Sequence, residues 1–166
     1  WALFTSGSKS FNIPAFTGAY GFIPEENERD SYLQALKGRD GLSSPSVPAL
    51  VAHIAAYRDG APWLDALRDY LQANMRYVAD TLNNAFPALC WQPPEATYLA
   101  WIDLRPLNVD DRALQQALIA EQKVAIMPGY TYGPEGNGFL RLNVGCPREK
   151  LERCVEGLIA ALRSLS

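Results

Sequence analysis

The run Thr5-Ser6-Gly7-Ser8-Lys9-Ser10-Phe11-Asn12-Ile13-Pro14 follows directly on the apolar Trp1-Ala2-Leu3-Phe4. A lysine ringed by small hydroxyl residues and a glycine therefore emerges where a buried strand is expected to end. An ε-amine is a nucleophile only when neutral, and partial burial favours that form by penalising the ammonium. Ser6, Ser8 and the free N–H groups of a tight turn are the kinds of donor that bind a phosphate. The stretch predicts an amine that condenses with an aldehyde beside an anion site, with Lys9 as the reactive residue.

Outward from that turn, residues 1–24 read as strand, short turn and strand. Residues 29–37 read as a helix closed by Gly38, and residues 46–58 as a second helix ending at Gly60-Ala61-Pro62. Leu64, Leu67, Leu71, Met75, Val78 and Leu82 then recur at steps of three and four, which predicts one long helix before Pro87. Pro87, Pro93 and Pro94 mark a turn-rich junction. The order beyond Glu95 is strand, helix, strand, strand, helix, with residues 97–104 and 124–127 as the first two strands. Asn108 and Asp110 both qualify as N-caps of the helix over 110–122. The final helix is expected to bury Leu151, Val155, Leu158, Ile159 and Leu162. Together these elements predict an α/β layer structure without repeats.

A second candidate lies in Gly138-Phe139-Leu140-Arg141-Leu142-Asn143-Val144. Alternation puts Phe139, Arg141 and Asn143 on one face of a strand and Leu140, Leu142 and Val144 on the other. A guanidinium held on a strand presents two parallel donors that match a carboxylate. Other features read as structural. His53 lies among Ala52, Ile54 and Ala55. Tyr130 and Tyr132 belong to a loop rich in turn residues. The 38–46 segment lacks the Gly-Lys-Ser/Thr ending of a phosphate loop and reads as a connector near a dimer contact.

The chain has 166 residues, 48% hydrophobic and 20% charged, enough for a core of domain size. A net charge of -3 without a basic stripe argues against nucleic-acid binding. No segment has the apolar length of a membrane span, so no membrane partner is expected. Cys90, Cys146 and Cys154 lack metal-type spacing and read as free thiols, with no metal expected and a cytoplasmic location.

The lysine run resembles the cofactor segment of the fold-type I pyridoxal phosphate enzymes. The likeness continues through Ala19-Tyr20-Gly21-Phe22-Ile23-Pro24, Ala96-Thr97-Tyr98-Leu99-Ala100-Trp101, Pro128-Gly129-Tyr130-Thr131-Tyr132-Gly133 and Gly138 to Pro147, and so covers the whole chain. Ser8-Lys9-Ser10-Phe11-Asn12-Ile13-Pro14-Ala15 is similar to the aminotransferase-like carbon-sulfur lyases, in particular the bacterial cystathionine β-lyases that modulate the maltose regulon. The resemblance implies pyridoxal 5'-phosphate as a Schiff base on Lys9 and Ser6 and Ser8 at the cofactor. It also implies Arg141 on the substrate carboxylate and a thioether amino acid as substrate. A homodimer and a transcriptional activator are the implied macromolecular partners. Where many aminotransferases carry a phosphate-binding arginine eight residues after the lysine, this chain has Thr17, which favours the lyase over the aminotransferase alternative.

The same resemblance implies domain organisation. Residues 1–62 correspond to the end of a cofactor-binding large domain and its sheet, 63–86 to a long interdomain helix, and 87–166 to a small C-terminal α/β domain. An aspartate for the pyridine nitrogen and a ring-stacking aromatic belong upstream of the lysine in that family. The chain is therefore expected to be a C-terminal part of a longer enzyme and inactive alone.

Overall fold

The computed structural model describes residues 1–42 and 44–165; Ser43, within the 38–46 connector, and Ser166 lie outside the described residues. The chain divides into two compact units, Trp1–Leu67 and Arg68–Ser166.

In the first unit, β1 (Leu3–Thr5) pairs antiparallel with β2 (Tyr20–Phe22), in the register Leu3 with Phe22, Phe4 with Gly21 and Thr5 with Tyr20. Gly21 is required there, since an added Cβ would lie 2.6 Å from the Phe4 ring. Helix α1 (Glu26–Gln34) carries Glu26 and Glu28 in its first turn, where the N-terminal dipole favours them, and runs on into a wider π turn over Ala35–Arg39. Gly38, the expected stop, sits inside that turn. The chain instead closes at Gly41, which adopts φ +65°, with Leu42 N–H donating to Leu36 O. Helix α2 (Val47–Asp59) is capped by Ser46, whose hydroxyl accepts from Ala49 N–H. Gly60 ends it. Pro62 belongs to the first turn of α3 (Ala61–Ala85), a position where its missing N–H costs nothing.

The core lies in the second unit. Sheet β3 (Leu99–Asp103), β4 (Met127–Pro128) and β5 (Phe139–Asn143) has the order β3-β5-β4 with both pairings antiparallel. One face, made by Ala100, Ile102, Leu140 and Leu142, joins a single apolar cluster. Met75, Val78 and Leu82 of α3, Leu114 and Leu118 of α4 (Asp111–Ala120) and Leu151, Val155, Leu158 and Leu162 of α5 (Arg148–Leu165) complete it. Ile159 is only half-buried. Asp110 is the N-cap of α4, accepting from Arg112 and Ala113 N–H, while Asn108 takes φ +50° to close the preceding turn.

Two strands are shorter than their apolar runs. Thr97 turns through φ +76°, so β3 begins only at Leu99. Val124 and Ile126 are buried but unpaired as strand, because Lys123 at φ +56° folds the backbone so that Val124 N–H closes α4 by donating to Leu118 O.

Candidate functional site

Lys9 occupies the turn between β1 and β2. Phe11 N–H donates to Gly7 O and Ile13 N–H to Ser8 O, which winds residues 7–13 into a compact knot. Phe11 anchors it, its ring edge-on to Tyr57 at 5.3 Å and stacked near Trp63 at 6.4 Å. Beside it, the Tyr20 and Tyr57 hydroxyls share a hydrogen bond of 2.9 Å, and that bond together with burial pushes the Tyr57 phenol above its ordinary range.

Ser6, Ser8 and Lys9 stand together in this turn. Ser6 Oγ donates to Gly18 O at 2.6 Å and accepts Ser8 N–H at 3.1 Å. Among the described residues, the N–H groups of Gly7, Lys9 and Ser10 have no partner, and neither does the Lys9 ammonium. The turn thus holds unpaired backbone donors, the Ser8 hydroxyl and an unpaired amine, the kinds of group that suit a phosphate-bearing aldehyde. The expected partial burial of Lys9 is not met within this chain. Lys9 is exposed, as are Ser10, Asn12 and the 14–17 segment around it.

One member of this site escaped the reading of the sequence. His53 on α2 places Nε2 3.3 Å from Ser6 Oγ and Nδ1 2.8 Å from Ala49 O. Its neighbours in sequence are small and apolar, and only a contact across 47 residues reveals what it touches.

Arg141 lies in the other unit, on β5, directly opposite Trp101 of β3 and Met127 of β4. The residue is half-buried, and its guanidinium stands over the Tyr132 ring at 4.8 Å. Trp101 stacks on Phe139 at 5.5 Å and meets Tyr132 edge-on at 5.7 Å, so an aromatic floor surrounds the charge. Among the described residues no carboxylate pairs with Arg141. The nearest strand acid, Asp103, is held by Arg105 through contacts of 2.6 and 2.9 Å, and the hydrogen-bonded guanidinium keeps its carboxyl below the usual range. The two loop tyrosines divide: Tyr132 supports Arg141, while Tyr130 lies under Arg112 at 5.1 Å.

The family model described as aminotransferase class I and II matches residues 1–158. The chain belongs to that family. It is 72% identical over 165 residues to protein MalY of Escherichia coli, covering 99% of this chain and 42% of MalY. It is 37% identical over 155 residues to cystathionine beta-lyase PatB of Bacillus subtilis, covering 93% and 40% respectively. Among solved structures, cystalysin from Treponema denticola, which contains a pyridoxal 5'-phosphate cofactor, superposes with TM-score 0.89 at 28% identity. The match covers 99% of this chain and 42% of that one. This chain of the class I and II family thus has an α/β fold matching part of the fold-type I structures, and it spans about two fifths of the length of these relatives. Among its described residues no helix is long and apolar enough to cross a membrane.

Proposed function

We propose that the full-length protein is a pyridoxal phosphate-dependent carbon-sulfur lyase of the cystathionine β-lyase kind. In this reading Lys9 is the cofactor lysine, Ser6 and Ser8 hold the cofactor with the turn N–H groups, and Arg141 binds the substrate carboxylate. The observation that carries it is the unpaired Lys9 amine in a turn whose free donors suit a phosphate. The likeness to PatB supports the lyase choice over transamination, and so does Thr17 at the place where many aminotransferases carry arginine.

When bound, pyridoxal phosphate supplies a ring that stores the electron pair left by α-deprotonation. The residues of this chain do the rest. Arg141 fixes the α-carboxylate with paired N–H donors, and Tyr132 keeps its guanidinium in place. Lys9 Nζ takes the α-proton. The net reaction converts a thioether amino acid and water to a thiol, pyruvate and ammonia. Residues 1–62, 63–86 and 87–166 act in this reading as the end of the cofactor domain, the connecting helix and the small domain.

A cytoplasmic homodimer completes the proposal. The outward stripe Val47, Leu50, Val51 and Ile54 on α2, each more than 45% exposed, supports a protein surface lying over that helix. A transcriptional activator is carried as a further protein partner. Its capture by the Lys9→Ala protein would separate that role from catalysis, and capture by neither form would remove it. For the lyase itself, Lys9→Ala in the full-length protein should abolish release of pyruvate and thiol from cystathionine, whereas unchanged turnover would remove Lys9 from the mechanism.

A further inference from the structure

The outward face of the sheet carries two crossed pairs of side chains. Trp101 stands directly opposite Arg141 and Asp103 directly opposite Phe139, so Arg141 and Asp103 end one diagonal while Trp101 and Phe139 end the other. Such diagonals separate residues by about 7 to 8 Å, within the reach of an arginine and a carboxylate. Opposite charges placed so are expected to pair, and these do not. Arg141 lies over the Tyr132 ring at 4.8 Å, and Asp103 is held by Arg105 at 2.6 and 2.9 Å. The other diagonal is filled: Trp101 and Phe139 stack with ring centroids 5.5 Å apart and planes inclined by 18°. Trp101 is 39% exposed, so core packing does not account for its ring. The stack is braced at both ends. Tyr132 meets Trp101 edge-on at 5.7 Å, and the Arg105 guanidinium lies over Phe139 at 4.6 Å. Gly138 makes room for the Arg105 stem, since a Cβ there would come within 2.4 Å of Arg105 Cγ.

We propose that the Trp101–Phe139 stack is a partition that keeps Arg141 from pairing with Asp103, which makes Trp101 and Phe139 positioning residues for that arginine. The inference rests on the reading of Arg141 as the substrate-carboxylate site. A guanidinium and a carboxylate that meet form a charge-assisted, paired contact. An internal Asp103–Arg141 bond would use the same N–H donors that a substrate carboxylate needs. The stacked rings fill the crossing with apolar surface, and each charge has its own partner to one side. Tyr132 attracts the Arg141 guanidinium through its ring face and leaves the N–H donors unused. Arg105 engages both oxygens of Asp103. Arg105 acts twice, because it holds Asp103 and covers Phe139. Its loss therefore frees the acid and loosens the partition together.

The test joins crystallography with steady-state kinetics of the full-length protein on cystathionine. In Trp101→Ala, an Asp103 oxygen should lie within about 4 Å of an Arg141 nitrogen. KM should rise roughly tenfold with kcat nearly unchanged. Adding Asp103→Asn, which keeps an acceptor for Arg105 but offers Arg141 no charge, should bring KM back to within about twofold of wild type. Phe139→Leu removes the stack from the other strand while keeping an apolar side chain. It should give the same Asp103-dependent rise, and it carries the test if Trp101→Ala does not fold. Asp103 paired with Arg105 alone in the variant crystals, or a KM rise that Asp103→Asn does not relieve, would overturn the partition. An Asp103–Arg141 pair in the crystal with KM unchanged would instead defeat the reading of Arg141 as the carboxylate site.

Discussion

Arg141 shows how a single charge is kept available. Its ring partner, Tyr132, attracts the guanidinium without neutralising it, and the carboxylate best placed to neutralise it is bound elsewhere. Asp103 faces Phe139 across the sheet and is diagonal to Arg141, within reach of a long side chain. If Arg141 binds the substrate carboxylate as proposed, Arg105→Ala should raise KM with little change in kcat, because the released Asp103 would compete for Arg141. Arg141→Ala should cut kcat/KM by an amount equivalent to roughly 2 to 5 kcal/mol, as when one partner of a desolvated charge pair is lost. Tyr132→Leu should cost less, about 0.5 to 2 kcal/mol. Steady-state kinetics on cystathionine checks all three, and an Arg141→Ala enzyme with unchanged kcat/KM would refute the assignment. The Arg105 bond also carries a pH sign. Because Asp103 titrates lower in the folded chain, its stabilising effect is present above the ordinary carboxylate range and disappears as pH falls through the depressed value. Lys9 and Arg141 stand out as candidates from their immediate neighbours in sequence. Trp101, Tyr132 and His53 do not, since their contacts are with distant residues.

Among the elements, strand β5 was the most legible, because its alternation separates the core face from the arginine face. Helix α3 was legible along its apolar stripe but not at Asn74, a fully buried amide inside that stripe. Asn74 Nδ2 donates to Val144 O at 2.9 Å and to Cys146 O at 3.2 Å, tying the helix to the segment that follows β5. Periodicity counts only apolar residues and passes over such a pin. Asn74→Ala should destabilise the second unit by about 2 to 4 kcal/mol, as one buried and one partly buried carbonyl lose their donor, and denaturant unfolding would read the shift. The loop after β4 has a similar hidden requirement. Gly129 and Gly136 pack backbone to backbone, so that a Cβ on either would overlap the other's carbonyl oxygen. Gly129→Ala should displace the turn that carries Tyr132 and raise KM in the manner of Tyr132→Leu; a wild-type KM would show that the turn does not support Arg141.

For the whole molecule, the α/β class and its order of elements followed from periodicity and from the positions of glycine and proline. The exposure of the first unit did not. Apart from Ala49, its apolar side chains are not fully buried, and α2 is apolar on its outward face as well, so hydrophobicity alone suggested more core than the unit has. The Lys9 turn belongs to that open unit, and Lys9 is exposed within it. The account stands or falls on whether that lysine is the cofactor's anchor. Full-length protein loaded with pyridoxal phosphate, reduced with borohydride and digested, should yield one phosphopyridoxyl peptide, the one containing Lys9, and the Lys9→Ala protein should yield none. A reduced cofactor on Lys37, Lys123 or Lys150, or no adduct in the wild-type protein, would contradict it.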